Sequence, residues 1–176
     1  MNQKGSVRGT SEDGIYSGAL PFKKERLLLF GEKSLTCVDQ SQNTIWKAKL
    51  GDDILTAAAI TKSDLTVAAV LNGEVLNREK RQITSVKFLN SKGTVAAQTE
   101  IDALITDIKT LGRCIACTAG SEIFFLNDKG EIMDRYTSRF SITSVFLAKE
   151  DLAYVVSGGT VTRVRLTVTN KFLGIF

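Results

Sequence analysis

Short apolar runs separated by turn residues fill the chain from residue 14 onwards. The runs Leu27–Phe30, Val67–Leu71 and Ile123–Leu126 are apolar at successive positions, which is typical of strands covered on both faces. The run 44–50 instead alternates apolar side chains with lysines, as expected of a strand with one face in water. No segment repeats its apolar residues at the spacing of an amphipathic helix. The pattern therefore predicts an all-β fold.

The strands recur with a period of about 40 residues. A strand, a polar turn and a second strand follow one another at 37–46, 88–95 and 125–132, with a weaker copy at 165–172. A period of this length, with four short strands per repeat, is typical of β-propeller blades. We therefore predict a β-propeller of about four blades, each a four-stranded antiparallel sheet. Such a chain either closes as a small ring or forms part of a larger propeller.

The repeat divides the chain into units at 14–51, 52–101, 102–139 and 140–176, and residues 1–13 form a flexible polar tail ahead of them. The second unit is longer than the third by about 13 residues. We assign this excess to an insertion at 76–82, between the second and third strands of the unit.

The turns between the third and fourth strands share a pattern of residue types. They open with a short polar residue that can accept hydrogen bonds from the backbone: Asp39, Asn90 and Asn127. Each turn closes on a residue that readily adopts the left-handed conformation favoured in a tight hairpin: Asn43, Gly93 and Gly130. These polar residues are thereby predicted to stabilise turns rather than to bind a ligand.

The segment 35–50 carries an apolar strand, Asp39, a turn at Asn43 and an apolar residue followed by Trp46. It is similar to the repeat of PQQ-like (quinoprotein-type) β-propellers. The later units resemble the wider WD40-like and PQQ-like propeller superfamily, and the segment 126–132 resembles repeats of uncharacterised Firmicutes propeller proteins. The resemblance covers residues 15–176 and implies a propeller fold.

The quinone enzymes of that superfamily hold their cofactor over the central channel with acids, an arginine, a metal and a disulfide between adjacent cysteines. This sequence has no two adjacent cysteines. We therefore expect that this chain binds no such cofactor, despite the resemblance.

The net charge of +4 arises from basic residues that are mixed with acids, as in the segments 23–26 and 78–81. Aromatic residues make up 7% of the chain and are not interleaved with these clusters, so we predict no nucleic-acid partner. No apolar run reaches the ~20 residues of a membrane span, and the polar N-terminus lacks the apolar core of a signal peptide. These features predict no membrane span, and a cytoplasmic location if the N-terminus is complete.

The sequence has three cysteines, Cys37, Cys114 and Cys117, and no histidine. Cys114 and Cys117 have the spacing of half a zinc site or of a redox pair, but they lie in an apolar strand-like run. Residues three apart on a strand face opposite sides. We therefore predict buried thiols that neither bind a metal nor form a disulfide.

No catalytic constellation stands out in the sequence. There is no histidine base and no Gly-x-Ser-x-Gly nucleophile motif. We therefore predict a non-catalytic propeller that acts as an interaction scaffold or assembly module for a protein partner. The alternative is a ligand-binding or enzymatic PQQ-like propeller with a site on its central axis. That site would use polar residues near the starts of the inner strands, Thr56, Asp107, Thr143 and Ser144.

The end blades of an open arc would leave apolar side chains uncovered, which favours self-association or closure. In the first unit these are predicted to be Leu27–Phe30 and Leu35. In the last unit they are predicted to be Val155, Val161, Val164 and Phe172. Closure would place the strand Ile15–Ala19 beside Phe172–Phe176.

Overall fold

The computed structural model describes residues 16–22, 25–72 and 82–167. These ranges contain fifteen β-strands and no helix, which confirms the predicted all-β fold. The described part of the chain accordingly has no helix with the length and apolar character of a membrane span.

The strands form four sheets, which we call blades one to four. Blade one contains β1 (Tyr16–Phe22), β2 (Arg26–Gly31), β3 (Ser34–Val38) and β4 (Thr44–Lys49). Blade two contains β5 (Ile54–Ile60), β6 (Thr66–Leu71), β7 (Thr84–Leu89) and β8 (Val95–Ile101). Blade three contains β9 (Asp107–Leu111), β10 (Cys114–Ala119), β11 (Glu122–Leu126) and β12 (Ile132–Thr137). Blade four contains β13 (Ile142–Lys149), β14 (Leu152–Ser157) and β15 (Thr160–Arg165).

Strands within a blade pair antiparallel in chain order, so each blade is a meander. Blade four has three strands within the described residues. The predicted strand at 172–176 lies outside them, as do residues 76–81 of the predicted insertion. The first strands of the blades follow one another in space, because β5 contacts both β1 and β9, and β9 contacts β13. We call these four the inner strands.

The hydrophobic core consists of three clusters, each lying between two successive blades. Each cluster joins side chains from both blades: Trp46 with Leu89, Phe88 with Ile115, and Phe125 with Val155. Fully burying one large apolar side chain contributes about 1.5–3 kcal/mol, so these interfaces hold the blades together. Trp46 is 8% exposed and belongs to the cluster between blades one and two.

The turns of blades two and three have the predicted caps. The side-chain oxygen of Asn90 accepts hydrogen bonds from the backbone amides of Lys92 (2.9 Å) and Thr94 (3.2 Å). Asn127 makes the equivalent pair of bonds in blade three. These side chains satisfy amides that the short hairpin leaves without strand partners.

The prediction for the turn of blade one was wrong by one residue. The left-handed residue there is Gln42, with φ at 68°, and not Asn43. The Gln42 amide donates to the carbonyl of Asp39, as the Gly93 amide does to Asn90, so Gln42 occupies the glycine position. Asn43 instead donates its amide to the Asp39 carboxylate (2.8 Å).

Candidate functional site

A hydroxyl residue recurs near the start of every inner strand. Each hydroxyl donates a hydrogen bond to a carbonyl of the second strand: Ser17 to Phe30 (3.0 Å), Thr56 to Ala69 (3.2 Å), Thr106 to Thr118 (3.4 Å) and Thr143 to Val156 (3.1 Å). In β1, β5 and β13 this residue is the extra residue of a β-bulge. A bulge interrupts ladder pairing and leaves backbone groups in need of another partner, and the hydroxyl supplies it.

Thr56 and Thr143, two of the predicted axial residues, therefore each have a hydrogen-bond partner within their own blade. Sequence reasoning missed their equivalents Ser17 and Thr106. The signal that could have found all of them was a hydroxyl residue placed 12 or 13 positions ahead of its carbonyl partner.

The other predicted axial residues lie on neighbouring inner strands. Asp107 begins β9 and forms an ion pair with Lys109 (3.0 Å) on the same strand. Ser144 lies on β13, which contacts β9, and β9 also contacts β5, the strand that carries Thr56. The three inner strands are therefore adjacent. Each described hydrogen bond or ion pair of Thr56, Asp107 and Thr143 stays within its own blade.

The two cysteines of β10 face opposite sides of blade three, as predicted. Cys114 belongs to the cluster with blade four, whereas Cys117 belongs to the cluster with blade two. Burial raises the pKa of both thiols to about 12. The thiolate is the nucleophile and the metal ligand, so both groups are unreactive near neutral pH. No group of three potential metal ligands occurs among the described residues.

An ion-pair cluster joins the turns at one rim of blades three and four. The guanidinium of Arg113 donates to both carboxylate oxygens of Asp128, at 3.0 and 3.1 Å. Glu150, in the first turn of blade four, accepts from the backbone amide of Arg113 (3.3 Å). Hydrogen bonding to Asp128 raises the pKa of Arg113. These charged groups already have partners, so the cluster joins loops of the two blades.

One sheet face of blade four has no neighbouring blade among the described residues. Cross-strand pairing places nine residues on it in three rows: Ser144–Val156–Val161, Phe146–Tyr154–Arg163 and Lys149–Leu152–Arg165. We call this set the blade-four face. Its exposed apolar side chains include Val161, at 67%, and Phe146, at 65%. The opposite face of the sheet carries Val145 and Val155, which pack on blade three.

The corresponding face is covered in the other three blades. Its central positions there are Leu28, Phe30, Leu35 and Cys37 in blade one, Val67, Ala69, Val86 and Phe88 in blade two, and Ala116, Thr118, Ile123 and Phe125 in blade three. All of them are buried except Phe30, which is half-buried. The same register positions in blade four are Tyr154, Val156, Val161 and Arg163. Blade four thus keeps an interface-type surface on which Tyr154, Val161 and Arg163 are exposed.

The predicted set of exposed end residues was partly wrong. Val161 is exposed, but Val155 is buried against blade three and Val164 packs on the same cluster. In blade one, Leu27 is 46% exposed, whereas Leu28 and Leu35 are fully buried against blade two. The reason is that each strand turns alternate residues to opposite faces, and only one face of an end blade is open. Phe172 lies outside the described residues.

Antiparallel meanders packed face to face, with their inner strands adjacent in chain order, define the class as a β-propeller. Solved structures agree. BamB from Moraxella catarrhalis superimposes with a TM-score of 0.65 at 12% identity, over 84% of this chain and 44% of BamB. The Pan2 WD40 domain of Neurospora crassa gives 0.61 at 14% identity, over 82% and 43%. A protein of unknown function from Bacteroides caccae gives 0.60 at 13% identity, over 88% and 62%.

The chain spans about half the length of the structures it matches. At the level of sequence, residues 7–166 match the model described as "Family of unknown function (DUF5711)", and the chain belongs to that family. No curated protein sequence matches it. The structural matches confirm the predicted propeller fold, and the similarity to Firmicutes propellers stays a prediction.

Proposed function

We propose that this chain is a non-catalytic β-propeller module that binds another protein through the blade-four face. One observation carries the proposal: at four positions that lie between blades elsewhere, blade four exposes Tyr154, Val161 and Arg163 and leaves Val156 half-buried. Contiguous exposed apolar patches of this kind mark protein interaction sites. A sheet face is also rigid before binding, which lowers the entropic cost of ordering it.

The chemistry of the described side chains supports binding rather than catalysis. Burial holds the Cys114 and Cys117 thiols in their neutral form, and Thr56 and Thr143 donate to backbone carbonyls. The ligand-binding or enzymatic alternative on the central axis would need Asp107 and Ser144 to act with these same hydroxyls. It remains the second hypothesis, and the Thr56 substitution described in the Discussion separates the two.

Site-specific photo-cross-linking tests the proposal directly. A benzophenone amino acid at position 161 is expected to trap a discrete protein partner in cells that make this protein, because Val161 lies on the blade-four face and is 67% exposed. Position 132 is the matched control, since Ile132 is also apolar and 50% exposed but lies on the outer strand of blade three. A partner trapped equally at both positions, or at neither, would refute the proposal.

A further inference from the structure

The blade-four face is positively charged as well as apolar. Lys149, Arg163 and Arg165 all lie on it, and its nine residues include no carboxylate. Arg163 is the notable member, because the same register position holds Cys37, Phe88 and Phe125 in the other blades. Those three side chains are completely buried. Arg163 therefore stands where this fold normally buries an apolar group between blades, and it forms no ion pair with a described residue.

Covering Arg163 with a purely apolar surface would be unfavourable. A guanidinium removed from water without a partner carries a large desolvation penalty. A carboxylate opposite it would offset that penalty, since arginine binds a carboxylate through two parallel hydrogen bonds. The chemistry of the blade-four face thus calls for an acidic group within an otherwise apolar partner surface.

The chain's own open surface does not meet this requirement. Cross-strand pairing places the exposed Lys49 opposite Ser34 on the outward face of blade one. Head-to-tail association of two copies, which the predicted self-association would use, would bring Lys49 to the interface that holds Lys149, Arg163 and Arg165. Like charges across an interface are unfavourable, so a second copy is a poor occupant.

We propose that the occupant is the β-sheet face of a partner protein that is apolar at its centre and carries an aspartate or glutamate opposite Arg163. This inference rests on the proposed function and adds the chemistry of the partner. A sheet is favoured because the corresponding face of blades one, two and three packs on the sheet of the next blade. A nucleic acid would also be attracted by the charge, but it would leave the valine row 156–161 without an apolar partner.

The test combines the benzophenone at position 161 with charge reversal at Arg163. Arg163→Glu is expected to lower the cross-link yield at least about tenfold, because it sets two carboxylates against each other. Lys129→Glu, on an exposed turn of blade three, is the matched control and should leave the yield unchanged. Fluorescence of Trp46, the single tryptophan, checks that each variant keeps the interface of blades one and two.

The cross-linked partner peptide supplies the second readout. It should come from a strand that carries an aspartate or glutamate, and changing that acid to arginine should restore cross-linking to Arg163→Glu. A cross-link that charge reversal does not weaken would overturn the inference while leaving the proposed function standing. A cross-link to a second copy would overturn the inference, and a cross-link only to nucleic acid or to residues 168–176 would refute the proposed function as well. A wild-type protein that gives no cross-link at position 161 would instead refute the proposed function.

Discussion

Gly93 lies directly beneath the indole of Trp46, so close that a Cβ on Gly93 would stand 2.5 Å from Trp46 Cε3. Trp46 is on the outer strand of blade one, and Gly93 is in the last turn of blade two with φ at 77°. The same turn of blade three repeats the arrangement, since a Cβ on Gly130 would stand 3.2 Å from Phe88 of blade two. These turns therefore pack on the preceding blade.

Gly93→Ala should destabilise the fold by about 2–5 kcal/mol. Left-handed backbone costs a non-glycine residue about 1–2 kcal/mol, and overpacking a filled interface adds about 1–3 kcal/mol. Gly51→Ala is the matched control, because Gly51 has φ at 67° but no atom within 4 Å of its Cβ position. It should show the backbone cost alone. Chemical denaturation of both variants measures the difference, and equal losses would show that Trp46 moves aside.

Trp46→Ala should cost about 3–5 kcal/mol, as expected for a large aromatic side chain removed from a core. Trp46→Phe should cost clearly less, because the indole Nε1 has no hydrogen-bond partner among the described residues and the phenyl ring still covers Gly93. Urea unfolding followed by circular dichroism gives both values. A loss below about 1 kcal/mol for Trp46→Ala would place the side chain on the surface.

Thr56→Val removes the hydroxyl at the β5 bulge and leaves the Ala69 carbonyl without that donor. The expected loss of stability is about 1 kcal/mol. Thr44→Val, at an exposed position of β4, should be close to neutral.

A thermal-shift screen of the wild type and Thr56→Val with quinones, nucleotides and metals tests the axial-site alternative. A reproducible shift with the wild type that Thr56→Val abolishes would favour the axial-site alternative.

The buried thiols should make stability fall at alkaline pH. Burial raises the pKa of Cys114 and Cys117 from 9.0 to about 12, so the unfolded chain ionises first. Their contribution is complete below pH 9 and is lost as the pH rises from 9 to about 12. The double variant Cys114→Ala, Cys117→Ala should show a shallower decline over this range. Identical declines would mean that the two thiols ionise at the same pH in the folded protein as in the unfolded chain.

The same variant pair tests the metal prediction. Purified wild type and double variant are both expected to contain no zinc by elemental analysis. Stoichiometric zinc in the wild type alone would contradict the prediction that these cysteines bind no metal.

Strand positions were predictable because the signals are local. A strand's apolar period and the capping of its turn depend on neighbours in sequence, so the apolar runs Leu27–Phe30, Val67–Leu71 and Ile123–Leu126 all fall within strands of the structure. The turn of blade one was misread because Gln42 and Asn43 both tolerate the hairpin, and only the hydrogen bond from Gln42 to Asp39 shows which is left-handed. Ser17 and Thr106 were missed because the carbonyls to which they donate, those of Phe30 and Thr118, lie on another strand.

The sequence by itself determined the all-β class, the repeat, the turn caps and the opposite orientation of Cys114 and Cys117, since each follows from spacing along one strand or turn. Only the tertiary structure decided which face of each blade is covered. Val155 and Val161 look alike in sequence, yet one packs on blade three and the other is open. The correspondence between Arg163 and Phe125 likewise depends on the register of paired strands. The burial of each position is set by the neighbouring blade and not by the type of residue that occupies it.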